Sequence, residues 1–134
     1  GLYMICTLSK HEAEKQGYTD SLMLDHEGYV AEATGANIFF KDKDGTLHTP
    51  IPDSFLDGIT RRTVIEIANS MNIKVNERKI KPEELKNFVG CFLTGTAAEV
   101  TPVSQIDKFN YKVCNTIIQL SESYQQTVRK KKAA

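Results

Sequence analysis

Three stretches of the chain set chemically useful groups among small residues. In GYVAEATGANIFF (28–40), Glu32 interrupts an apolar run just ahead of a break at Thr34-Gly35-Ala36. A carboxylate there either faces solvent from an alternating strand, the usual case, or meets a cation such as a protonated heterocyclic nitrogen. Asn37, after the break, could lock the loop or support the carboxylate. In FLDGITRR (55–62), Gly58 lets the backbone approach a ligand closely, and Ile59 and Thr60 offer free N–H groups at a helix start. Those amides and the helix dipole suit a phosphate. The alternative is an ordinary helix start with Asp57 as its cap. In CFLTGTAAEV (91–100), a buried-strand pattern runs into Thr94-Gly95-Thr96-Ala97-Ala98, a second patch of hydroxyls and amides. Two such patches could clamp one anion.

The elements around these stretches follow from periodicity and turn residues. Leu2–Gln16 reads as a helix stopped by Gly17, with Leu8, Glu12 and Lys15 at helical spacing. Residues 21–25 read as a strand, 26–28 as a turn and 29–33 as the returning strand. Asn37–Phe40 is a further strand, turned by Lys43-Asp44-Gly45 into Thr46–Thr49, with a loop bracketed by Pro50 and Pro52. Val64, Ile67, Ala68 and Met71 form the apolar stripe of a helix over Ile59–Met71. Lys74–Ile80 is expected as a strand, Lys81–Leu85 opens a short helix with Pro82 in its first turn, and Glu99–Ile106 is extended. Val113, Ile117, Leu120, Tyr124 and Val128 predict a closing amphipathic helix. Helices mix with hairpin-forming strands, so the fold class is α+β or mixed α/β, in one domain over residues 1–134.

Bulk properties exclude several function classes. Lys plus Arg equals Asp plus Glu at 17 each, so no basic stripe for nucleic acid is available. The basic cluster Arg129-Lys130-Lys131-Lys132 reads as a solvated tail. Cys6, Cys91 and Cys114 are odd in number and lack metal-type spacing, which points to reduced, structural thiols and a cytoplasmic protein. His11, His26 and His48 are scattered and form no ligand set, so no metal is expected. No apolar run reaches membrane-spanning length. The chain opens inside the apolar stretch Gly1-Leu2-Tyr3-Met4-Ile5-Cys6, as a fragment of a longer protein would.

The ordered set GYVAEATGANIFF, FLDGITRRTVIE and CFLTGTAAEVTPV resembles the class IV, fold-type IV family of pyridoxal-phosphate aminotransferases, from about Leu2 to Ile106. Within the family, GITR combined with GTAAE is most similar to the branched-chain amino acid aminotransferases. D-amino acid aminotransferase and aminodeoxychorismate lyase members usually differ at GTAAE. The resemblance implies the larger C-terminal domain of these enzymes, a mixed sheet with hairpins flanked by helices. It implies that pyridoxal 5'-phosphate is the cofactor and that Glu32 pairs with its pyridinium nitrogen. It matches Tyr3 to a tyrosine on the cofactor's phenolic oxygen. Gly58 and the amides of Ile59 and Thr60, with the Thr96 hydroxyl, match the phosphate grip. The Thr96 and Ala97 amides match donors to the substrate carboxylate. Implied substrates are Leu, Ile or Val and 2-oxoglutarate, and implied partners are the enzyme's own N-terminal domain and further copies in a homo-oligomer.

Two departures accompany the resemblance. The family's Schiff-base lysine would lie about three residues before Gly1, and Lys10, in SKHEA, is no substitute. Leu2 and Ala36 stand where many relatives carry Asn and a polar or acidic residue, which leaves substrate preference open. Without its N-terminal domain the fragment is expected to be inactive. The competing classes are a phosphate- or nucleotide-binding module built on Gly58 alone, and a structural domain that binds nothing at either patch.

Overall fold

The computed structural model of the chain describes residues 3–8, 19–33, 36–52, 58–95 and 99–133. The strands are β1 (Tyr3–Leu8), β2 (Thr19–Leu24), β3 (Val30–Ala33), β4 (Asn37–Lys41), β5 (Leu47–Thr49), β6 (Val75–Glu77), β7 (Gly90–Gly95), β8 (Glu99–Ile106) and β9 (Phe109–Asn110). Two α-helices, α1 (Ile59–Ser70) and α2 (Asn115–Ala133), and a 3-10 turn over Pro82–Asn87 complete the described elements.

The strands form a nine-stranded sheet in the order β3-β2-β1-β8-β7-β4-β5-β6, with β9 hairpinned onto β8. The pairings are antiparallel except β5 with β6, which run parallel because α1 is the crossover between them. The α+β expectation holds, with mixed strand directions and hairpins. Gly28 and Gly45 take positive φ at the β2–β3 and β4–β5 turns, a conformation that costs glycine little.

The path of the sheet curls back on itself. Ala33 and Ala36 exchange N–H···O bonds of 3.0 and 3.1 Å, which ties β3 to β4 and closes a ring β3-β2-β1-β8-β7-β4. Alternation then sorts side chains to two faces. Cys6, Leu22, Ala33, Ile38, Phe40, Cys91, Leu93, Val103 and Ile106 pack together on one. Phe39, Phe92 and Val100 point to the other and are covered by Val64, Ala68, Ile117 and Leu120 of the two helices. Consecutive phenylalanines serve both: Phe39 stacks on Phe92 at 4.9 Å and Phe40 on Phe88 at 4.8 Å. With both faces of β4 and β7 buried, their register is set by packing as well as by hydrogen bonds.

The first element corrects the sequence reading. Tyr3–Leu8 is a strand, not the start of a helix, and the rest of the expected helix through residue 16 lies outside the described residues. The run YMICTL suits a pleated surface, and β1 sits between β2 and β8 with Cys6 buried and Ile5 67% exposed. Those long-range pairings outweigh a helical spacing that rested on polar Glu12 and Lys15. The strand expected over Lys74–Ile80 shortens to Val75–Glu77, because β6 has only three residues of β5 to pair with. Arg129–Lys132 continues α2 rather than forming a tail. Other elements fall within a few residues of expectation, and β9 was not anticipated.

Candidate functional site

Register sets two of the expected site residues, Tyr3 and Glu32, in one row. Tyr3 pairs with Met23, and Met23 with Glu32, on β1, β2 and β3. The Ala33–Ala36 bridge makes Glu32 and Asn37 the adjoining positions of the next hairpin. Asn37 pairs with Thr94, and Thr94 with Val100, on β4, β7 and β8. Antiparallel partners share a face. The row therefore lies on the face that carries Phe39, Phe92 and Val100, opposite the cluster around Cys6 and Leu93.

Against Asn37 in this row sits the start of α1. Gly58 is its N-cap, extended at φ −66° and ψ 150°, with no side-chain cap bond and no acidic residue in the first turn. The alternative with Asp57 as cap is thus replaced by Gly58, and Asp57 itself lies outside the described residues. A Cβ on Gly58 would lie 2.8 Å from Asn37 Oδ1, closer than real Cβ contacts come. Glycine here lets the helix start press against β4. Asn37 is 6% exposed, its register partner Thr94 is buried, and so are Thr60 and Arg61 in the first turn of α1. Ile59 is 74% exposed, so its side chain contributes nothing to the core and its position in the motif is a main-chain one.

Thr94 belongs to the hydroxyl-and-amide patch expected from the sequence. Its Oγ1 is buried and has no hydrogen-bond partner among the described residues. A buried hydroxyl without a partner is uncommon and costs folding free energy. It stands in register with Asn37, whose Oδ1 a Cβ on Gly58 at the start of α1 would meet. A hydroxyl without a partner among the described residues, a helix start and a glycine cradle together suit an anion.

Glu32 is half-buried on β3, and burial raises its carboxyl above the ordinary 4.5. A cation brought against it would reverse that shift. The Tyr3 backbone lies in the same row, while Thr96 and Ala97 lie outside the described residues. Sequence reasoning missed two contacts from α2: the Tyr124 hydroxyl lies 3.4 Å from Thr60 Oγ1, and Gln125 Nε2 donates to Glu99 Oε2. Both span more than twenty residues of chain, so no local signal announces them. Among the described residues, no group of His, Cys, Asp or Glu could hold a metal ion, and no helix is long and apolar enough to cross a membrane.

Comparison with known proteins bears on this arrangement. The model of the amino-transferase class IV family matches residues 1–106. A probable branched-chain-amino-acid aminotransferase of Rickettsia felis is 53% identical over 111 residues, covering 83% of this chain and 38% of that protein. The branched-chain aminotransferase of Thermoproteus uzoniensis, solved with norvaline, superposes with a TM-score of 0.77 at 40% identity, over 87% of this chain and 39% of that one. The PLP-form of the branched-chain amino acid aminotransferase from Thermobaculum terrenum gives 0.78 at 38% identity, over 90% and 40%. The chain thus spans less than half the length of these relatives.

Proposed function

Because the chain belongs to the amino-transferase class IV family, we propose that it is the cofactor-holding part of a branched-chain amino acid aminotransferase that uses pyridoxal 5'-phosphate. The buried Thr94 hydroxyl, without a partner among the described residues and in register with the Asn37 that meets the start of α1, carries this reading, since it suits the cofactor's phosphate. When bound, the cofactor supplies an electron-withdrawing ring and a carrier for the amino group. The names and bound molecules of the similar structures support the same choice.

The roles proposed for the residues are those the family resemblance implies. Gly58 permits the close approach, the Ile59 and Thr60 amides donate to the phosphate, and Thr96 adds a hydroxyl. Glu32 holds a proton on the ring nitrogen, where its negative charge offsets the positive charge. Tyr3 hydrogen-bonds the phenolic oxygen, and the Thr96 and Ala97 amides orient the substrate carboxylate. The lysine and the rest of the side-chain pocket come from sequence outside the stretch Gly1–Ala134, with a further domain and a second copy of the protein as partners. The full-length protein would be cytoplasmic and would move the amino group of Leu, Ile or Val to 2-oxoglutarate.

The test is amino transfer by the full-length protein, with leucine or D-alanine as donor and 2-oxoglutarate as acceptor. Turnover of leucine that depends on added cofactor is expected. Turnover of D-alanine alone, or none that depends on the cofactor, would overturn the reading.

A further inference from the structure

Met23 stands on the middle strand of β1, β2 and β3, paired with Tyr3 on one side and Glu32 on the other. The row beside it, Met4–Leu22–Ala33, belongs to the core: Leu22 and Ala33 are fully buried and Met4 packs against their cluster. Alternation sends Met23 to the opposite face. There it is half-buried, and among the described residues it joins neither apolar cluster. The register slips directly next to this pair, since Met23 faces Glu32 but Leu24 faces Val30. Ala31 is the extra residue of a bulge. Val30 and Ala33 both pack in the Cys6 cluster although they are three positions apart, which a regular strand would send to opposite faces. The bulge thus leaves Glu32 turned to the face of Met23, and re-aiming a side chain beside a site is a common use of bulges.

We propose that Met23 is a further cofactor-binding residue, which meets the 2-methyl edge of the pyridoxal phosphate ring and limits what that edge can carry. On this cofactor the carbon bearing the methyl group lies between the ring nitrogen and the carbon bearing the phenolic oxygen. The inference rests on the reading above, in which Glu32 takes the nitrogen and Tyr3 the phenolic oxygen. Met23 is the residue between those two in register. Adjacent strands lie about 5 Å apart, so the middle strand supplies the side chain for the edge between the two polar anchors. The order of residues along the row then matches the order of groups around the ring. The methyl group needs an apolar neighbour, and a thioether side chain is flexible and favours the edge of an aromatic ring.

The experiment measures dissociation constants of the full-length protein for pyridoxal phosphate, its 2-desmethyl analogue and its 2-ethyl analogue. The unaltered protein should hold the desmethyl analogue about fourfold less tightly, because one methyl contact is lost. It should hold the ethyl analogue ~10-fold less tightly, because the added carbon overfills the contact. Met23→Ala should bring the desmethyl ratio below about twofold and let the ethyl analogue bind to within about twofold of pyridoxal phosphate. A Met23 that serves only the fold would weaken all three ligands equally or lower only the melting temperature, and unchanged ratios overturn the proposal. A second measurement does not depend on the alanine variant folding. In full-length protein labelled with ¹³C at the methionine methyls, a nuclear Overhauser effect is expected between the cofactor's 2-methyl group and a signal that Met23→Leu removes. Its absence from the bound complex overturns the contact. Equal affinity of the unaltered protein for all three ligands removes Met23 from the site and leaves the cofactor reading standing. Failure to bind any of the three overturns that reading, and the Met23 contact with it.

Discussion

Two polar clusters of this molecule differ in how completely they are satisfied. At the β5–β6 edge, Arg78 Nε donates to His48 Nδ1 at 3.1 Å, so His48 Nε2 carries the proton shared with Asp42 Oδ2 at 2.8 Å. Arg78 also holds both oxygens of Glu84, at 2.7 and 3.2 Å, and Phe88 packs against the imidazole. Along the candidate row, by contrast, burial raises Glu32 and the Thr94 hydroxyl goes unpartnered among the described residues. A network whose groups satisfy one another holds a fold together. A buried hydroxyl that lacks a partner among the described residues, as at Thr94, is costly unless a ligand completes it. The contrast marks the first cluster as structural and is the ground for proposing chemistry at the second.

The sharpest way to break that assignment is Glu32→Gln in the full-length protein. It should lower amino transfer by about 10²–10³ with the melting temperature nearly unchanged, since what is lost is a preorganised charge. Steady-state rates and a thermal melt check both halves. A smaller but still large effect is expected from Gly58→Ala. Its Cβ meets Asn37 Oδ1 at 2.8 Å, so the start of α1 must shift at a cost of about 1–3 kcal/mol. Denaturant unfolding reads the cost, and pairing the change with Asn37→Ala should recover part of it.

Arg78→Met tests the opposite cluster. It should destabilise the fold by about 1–2 kcal/mol, discounted because Arg78 and Glu84 are both partly exposed, and leave cofactor affinity alone. A loss of cofactor binding would erase the contrast. Acid gives a graded version. The hydrogen bond from Arg78 holds Glu84 below its ordinary 4.5. Burial works to raise Asp42, but bonds from His48, Thr46 and Asp44 outweigh it and lower it from 3.8. Carboxyls lowered on folding contribute stability that is complete above their unfolded values and lost as pH falls through their folded ones. Stability should therefore decline below about pH 4.5, the ordinary value of Glu84, and less steeply in Arg78→Met. The smallest effect is Thr94→Val. Without cofactor it should be neutral or stabilising by up to about 1 kcal/mol, because it removes an orphan hydroxyl at constant shape. With cofactor it should weaken retention.

What could be read from the sequence follows from the range of each interaction. The stripe Val64, Ile67, Ala68, Met71 marks α1 because helical packing repeats within one turn. Gly28 and Gly45 mark their turns because positive φ is a local demand. The motif residues Glu32, Gly58, Ile59 and Thr60 are recognisable for the same reason. β1 was misread because the pairings that decide it lie with β2 and β8, the latter about a hundred residues away. The row from Tyr3 to Val100 depends on register across several strands, so Thr94 is one hydroxyl of a small-residue patch until Asn37 is set beside it. His48 seemed isolated because its partner Arg78 is 30 positions along the chain.

The proton that Glu32 is proposed to keep on the cofactor ring can be read directly. The probe is the ¹⁵N shift of ring-labelled pyridoxal phosphate bound to the full-length protein, followed across pH in the unaltered protein and in Glu32→Gln. The ring nitrogen should stay protonated through neutral pH in the former and lose its proton at lower pH in the latter. Superimposable titrations in the two proteins would contradict it.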